Sequence, residues 1–208
     1  MFQPELRFEI FHSAEANFMD RYIIAACQNL IKSVRKEMDI YHLYSVVRHT
    51  LTFLENLTNW YVRLNRTRMK GETDSSEDQR TALNTLFDVL LSATQIMAPI
   101  TPFISEFLYQ NMRNGLPENS DLNKESIHFT DLPEFSEDLI DPVTEAKVQR
   151  MQSAIETGRK LRDKVKLPMK YPLQKVKLIE SDPVIAQGLA DLSNYIKSEL
   201  NCMEIEIM

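Results

Sequence analysis

Apolar residues recur along most of this chain at intervals of three and four, the period of a helix buried on one face. Met19, Tyr22, Ile23, Ala26, Leu30, Val34 and Met38 predict an amphipathic helix over 19–38. A second stripe, Leu43, Val47, Leu51, Leu54, Leu57, Tyr61 and Leu64, predicts one long helix from near Tyr41 to a terminating glycine, Gly71. The polar stretch Glu72 to Asp78 reads as a loop, with Ser75 or Ser76 as the N-cap of a third helix. That helix carries Leu83, Leu86, Phe87, Leu90, Leu91 and Met97. Pro99 and Pro102 break the chain before a short fourth helix with Phe103, Phe107 and Leu108.

Residues 114–125 then form a loop, 126–129 a short extended piece, and the acidic run to Pro142 a connection. Asp141 caps a fifth helix with Pro142 at its first position and Val148, Met151, Ile155 and Leu161 along its apolar side. The tail differs in kind. A strand around Val176 and Leu178 leads to a helix over Ser181–Leu200, then to a second strand in which Met203, Ile205 and Ile207 alternate with Glu204 and Glu206. The expected fold is mainly α: an antiparallel helical bundle over residues 16–165 with a small C-terminal β-α-β subdomain over 166–208, preceded by a lead-in over 1–15.

Composition narrows the function. The chain has 208 residues, of which 43% are hydrophobic and 26% charged, the balance of an ordinary globular protein. Its four glycines stand far apart, so no glycine-rich phosphate loop is expected. Two distant cysteines make neither a disulfide framework nor a zinc cage, and the four histidines do not pair with cysteines or acids at ligand spacing. No metal site and no cofactor are expected in this chain. No nucleophile with an adjacent base stands out, no run is long enough to span a membrane, and the thiols fit a reducing cytoplasm.

The net charge of −6 opposes a polyanion partner, but its distribution does not. Eight basic residues and one acid lie between Arg159 and Lys177, and four basic residues and no acid between Arg63 and Lys70. The stretch Glu118–Glu145 holds nine acids against one lysine. At about 100° per residue, Asn59, Arg63, Arg66 and Lys70 share one face of the second helix, opposite Leu57, Tyr61 and Leu64. Such a ladder can follow a phosphate backbone. Trp60 lies between the faces, and Arg68 falls on the core side as an ion-pair or helix-end residue. Arg159, Arg162, Lys164, Lys166 and Lys170 form the second candidate group. On the residues alone two readings stand: solvated surface and core tryptophan, or an RNA-binding face. The acidic stretch is one possible counter-charge for the second group.

Ordered motifs then add a resemblance. Ala16-Asn-Phe-Met-Asp-Arg-Tyr-Ile resembles the start of the anticodon-binding region of class I synthetases for isoleucine, leucine and valine. Asn56-Leu-Thr-Asn-Trp-Tyr-Val-Arg-Leu-Asn-Arg-Thr-Arg68 is similar to the isoleucyl signature, and Met97-Ala-Pro-Ile-Thr-Pro-Phe-Ile-Ser-Glu106 to a proline-broken helix start shared by the group. Ser126-Ile-His-Phe and Leu167-Pro-Met-Lys-Tyr-Pro-Leu173 fit the later connection and basic turn, although Lys170 stands where the family often has arginine. The matches run in order over residues 16–208 and favour a eukaryotic cytoplasmic isoleucyl form over a leucyl or valyl one.

The resemblance implies binding of an isoleucine-specific tRNA through its anticodon stem-loop. It also implies a parent ligase that uses ATP and Mg²⁺, with catalytic and editing domains that this sequence lacks: neither a His-Ile-Gly-His-type nor a Lys-Met-Ser-Lys-Ser-type motif occurs. The alternative is a helical interaction module that docks the catalytic body or a multi-synthetase complex.

Overall fold

The computed structural model describes residues 17–72 and 75–208. The expected lead-in over 1–15 lies outside them. The chain divides into two compact units, one ending at Ile140 and the other spanning Asp141–Met208. This division falls earlier than the boundary at residue 166 read from the sequence, because the fifth long helix packs on the helices of the tail. No helix among the described residues is long and apolar enough to cross a membrane.

In the first unit, α1 (Phe18–Asp39) is capped by the Asn17 side chain, which accepts from the Met19 N–H at 3.0 Å. Tyr41 turns the chain at φ 58° into α2 (Leu43–Glu55). A π-helical segment, Asn56–Val62, follows directly, and a non-helical Asn65 separates it from the single turn α3 (Arg66–Met69). The long second helix expected from the sequence is therefore three pieces. Ser75 caps α4 (Ser76–Met97), accepting from the Asp78 N–H, and α5 (Pro102–Arg113) starts on its proline.

α1 packs on both α2 and α4, and α4 on α5. Met19, Tyr22, Ile23, Leu30, Ile31 and Val34 give α1 a fully buried face. On α2 the buried positions are Val46, Thr50 and Phe53, leaving Leu43, Val47 and Leu51 outside. This corrects the expected stripe, which joined a surface row to the core positions Leu57 and Tyr61. On α4 the buried positions include Ala82, Thr85, Val89, Ala93 and Ile96 and, of the expected leucines, Leu91, while Leu83, Leu86 and Leu90 are only half-buried.

Of residues 126–129 only Ser126 is extended. Ile127–Phe129 form a 3₁₀ turn, because Glu106 accepts from the Ser126 hydroxyl at 2.8 Å and the Ile127 N–H at 3.0 Å, while Ser126 caps His128. Ile127 packs with Leu91, Ala98, Tyr109 and Leu116, and the buried Tyr109 hydroxyl is bonded to the backbone at Leu122 and Lys124. A second 3₁₀ turn, Glu137–Leu139, lies in the acidic connection, where Glu134 pairs with Arg35 and Glu137 with Lys32.

The second unit holds α6 (Pro142–Lys164), β1 (Leu173–Leu178), α7 (Pro183–Asp191), α8 (Ser193–Leu200) and β2 (Cys202–Ile207). Asp141 caps α6 through the Thr144 N–H at 2.9 Å. β1 and β2 pair in parallel, Leu173 opposite Cys202 and Lys177 opposite Glu206, so the tail is the expected β-α-β unit. Its helix is interrupted at buried Leu192, and it starts after the cap Asp182 instead of Ser181. Gly158 lies where α6 crosses α8: a Cβ there would stand 2.7 Å from the Leu200 methyls.

Candidate nucleic-acid interface

The segment 56–70 has two faces of opposite chemistry. Leu57, Tyr61, Asn65 and Arg68, spaced four, four and three apart, are all buried. Asn59, Arg63, Arg66 and Lys70, spaced four, three and four, are all exposed. In a π-helix each turn holds more residues than in an α-helix, so a fixed 100° step does not describe residues 56–62. The burial pattern supplies the alignment that the angular count could only approximate. Trp60 is half-buried beside this row, and Lys70 stands 3.4 Å from Glu72.

A polar cluster fixes the inner face. Arg68 donates to both oxygens of Asp20 (2.9 and 3.2 Å), to both oxygens of Asp78 (2.6 and 2.9 Å) and to Asn65 Oδ1 (2.7 Å). The Tyr61 hydroxyl donates to Asp20 at 2.6 Å, and Asn65 Nδ2 to the Tyr61 carbonyl at 2.8 Å. One guanidinium thus ties α3 to α1 and α4, and Asp20 carries the link on to Tyr61 of the π segment. Burial opposes its charge, yet the bonds to Asp78 and Asp20 outweigh that and hold its pKa above the ordinary arginine value. Arg68 in turn keeps the Asp78 carboxyl below the usual carboxylate range. Burial, then the neighbouring Asp20 charge, pushes the Tyr61 hydroxyl far up, so it acts as a donor. The sequence places Arg68 on the core side as an ion-pair or helix-end residue, and the structure puts it inward in an ion pair. The sequence reading does not identify Asp20, an acid set among the apolar positions of α1.

The second candidate group separates differently. Arg159 is ion-paired with Glu199. Arg162 is only 3% exposed and donates to the carbonyls of Leu200, Pro168 and Tyr171 at 3.3, 2.6 and 2.5 Å. It therefore organises the turn between α6 and β1 and does not present itself to a ligand. Leu161, expected inward, is exposed in its place. The reason is helix phase: Val148, Met151, Ile155, Gly158 and Arg162 recur at three and four, and Leu161 lies off that line.

Lys164, Lys166 and Lys170 are exposed around the turn, with Lys166 at φ 54° and the Lys170 ammonium 5.3 Å from the Tyr171 ring centre. Lys175 and Lys177 pair across the sheet with Glu204 and Glu206. Within this unit, the counter-charges thus come from the tail's own Glu199, Glu204 and Glu206.

What remains outward is two sets of cations on ordered backbone, one beside an amide and an indole, and both set where they can meet phosphate oxygens. The family of anticodon-binding domains of tRNA ligases matches residues 20–178. An isoleucine–tRNA ligase of Tetrahymena thermophila is 46% identical over 91% of this chain and 17% of its own length. The cytoplasmic isoleucine–tRNA ligase of Mus musculus is 44% identical over 92% of the chain and 15% of its own length. A probable cytoplasmic isoleucine–tRNA ligase of Dictyostelium discoideum is 40% identical over 98% of the chain and 19% of its own. The chain thus spans less than a fifth of these relatives. Its fold and its match over residues 20–178 make it a member of the anticodon-binding domain family of tRNA ligases.

Proposed function

We propose that this chain binds the anticodon stem-loop of an isoleucine tRNA as the non-catalytic part of a cytoplasmic isoleucine–tRNA ligase. The observation that carries the reading is the outward row Asn59, Arg63, Arg66 and Lys70, backed by a buried cluster that fixes the same segment. Arg63, Arg66 and Lys70 contact phosphates, and Asn59 and Trp60 contact the loop. In the second unit Lys164, Lys166 and Lys170 supply backbone contacts, Arg159 lends charge beside Glu199, and Arg162 shapes the turn that displays the lysines.

ATP, Mg²⁺ and the amino acid belong to the catalytic domain of the parent enzyme, and editing to another domain. Gly71 closes a turn at φ 69°, and Gly158 and Gly188 sit in helix contacts. Filter binding of the 208-residue chain to isoleucine tRNA and to an unrelated tRNA, across a salt series, tests the reading. Tighter binding of isoleucine tRNA with a steep salt slope is expected, and equal affinities remove the specificity.

A second reading concerns docking to the rest of the parent ligase. Phe103, Ile104, Phe107 and Leu108, with Ile100 just before the helix, leave one side of α5 apolar and exposed, Phe103 by 90%. More than four-fifths of each relative's length lies outside the matched region, and we assign this stripe to contact with that remainder. Phe103→Ser/Phe107→Ser should abolish association with the separately produced remainder while leaving tRNA affinity unchanged. Unchanged association removes the assignment, and with it the case for docking over a multi-synthetase partner.

A further inference from the structure

Within the first unit, α1 and α4 border a cleft of about 160 Å³ that the RNA-binding row does not use. Its walls are largely apolar, including Ile24 and Ile31 from α1 and Val89 and Leu91 from α4. Into this lining α4 also brings Asp88, half-buried. Among the described residues no hydrogen bond or ion pair reaches its carboxylate, unlike Asp20 and Asp78 in the Arg68 cluster. The cations of the neighbouring stretch are already held: Lys32 by Glu137, and Arg35 by Glu134 and the carbonyls of Leu132 and Pro133. A carboxylate removed from water without a partner is costly, and burial alone pushes this one up to about 7.

We propose that the cleft is a binding site for a protonated amine on a short apolar stem, with Asp88 as its counter-ion. The stem replaces water against Ile24, Ile31, Val89 and Leu91, and the ammonium donates to the carboxylate. The volume exceeds the share of about five waters, roughly 30 Å³ each, and accommodates a four-carbon chain. Cys27 does not compete as an anion, since burial pushes its thiol up to about 12. A free alkylamine and a lysine side chain of a partner segment share this chemistry. The site is independent of the tRNA reading, and either can fail without the other.

The test is an amide-resolved NMR titration of the full chain with n-butylammonium chloride at about pH 8.5, where Asp88 is ionised. Saturable shifts centred on Ile24, Ile31, Val89 and Leu91 are expected. Binding should weaken by about tenfold or more for Asp88→Asn, and equally for n-butanol, which keeps the stem without the charge. Equal affinity for Asp88→Asn or for butanol overturns the proposal, as do shifts that do not saturate.

A second arm covers a variant that does not fold. In the wild type at about pH 5.5 the carboxyl is protonated and affinity should fall by a similar factor. The charged groups lining the cleft are Asp88 and Glu134, and Glu134 is paired with Arg35, so unchanged affinity at the lower pH overturns the site. N-acetyl-lysine N-methylamide separates the sources. Tighter binding than butylammonium assigns the cleft to a lysine side chain, and weaker binding to a free amine; each upholds the ammonium site.

Discussion

The basic segments Arg63–Lys70 and Arg159–Lys177 look alike in sequence and differ in what their arginines touch. In the first, one arginine of three turns inward: Arg68 meets two carboxylates and an amide, while Arg63 and Arg66 stay exposed. In the second, Arg159 pairs with Glu199, Arg162 is enclosed by three carbonyls, and the lysines form the outer surface. Arginine suits the inner role because its planar fork reaches several acceptors at once, and lysine the outer one because its compact charge stays hydrated. A run of positive charge is thus divided between architecture and surface by helix phase. The charge offered to a polyanion is smaller than the count in the sequence.

The sharpest way to break this comparison is Arg68→Ala. It leaves Asp20, fully buried, without its cation, and removing one partner of such a cluster costs about 3–5 kcal/mol. Urea denaturation should show this as a lowered midpoint at unchanged slope. The pH dependence carries a second signature. Arg68 depresses the Asp78 pKa, so Asp78 contributes stability above its unfolded value near 4 and loses it as pH falls through the folded value. Urea midpoints measured downward from about pH 5 should fall less steeply in Arg68→Ala than in the wild type.

Arg162→Ala should cost less, about 2–3 kcal/mol, because it strands three carbonyls and no carboxylate, and the turn can open those carbonyls to water. Equal losses for Arg68→Ala and Arg162→Ala would erase the distinction between the two inner arginines. Gly158→Ala comes next at about 1–2 kcal/mol. The added methyl meets the buried Leu200, and the gain in helix propensity offsets part of the strain. Thermal unfolding checks it, and a neutral or raised midpoint would mean that α8 yields.

Much of this was legible in the chain. Ser75 and Asp141 cap helices because a side-chain oxygen reaches an N–H within the next few residues, a signal that is entirely local. Arg68 was legible from helix phase. Arg162 could have been: extending the line Val148, Met151, Ile155 by threes and fours reaches Gly158 and Arg162, and a count that favours residue type over phase picks Leu161. The π segment was not legible, since its register depends on tertiary anchors such as Tyr61 on Asp20, forty-one residues away. Nor was the outer face of α2, where Leu43, Val47 and Leu51 look like core in one dimension.

The smallest expected effect on stability is the most informative about function. Arg63→Gln/Arg66→Gln changes exposed side chains, so unfolding should stay within about 0.5 kcal/mol of the wild type. If both arginines meet phosphates, the slope of log affinity against log salt should fall by roughly 1.4–1.8, at about 0.7–0.9 per contact. The parallel variant Lys164→Gln/Lys166→Gln/Lys170→Gln should lower it by roughly 2–3 on the same rule. A drop confined to the first variant would make the α6–β1 turn ordinary solvated surface. A drop confined to the second would move the RNA contact to the lysines and leave segment 56–70 with an architectural role alone. Because neither variant touches the Arg68 cluster or the Arg162 carbonyls, a change in salt slope with unchanged unfolding reports contact and not folding.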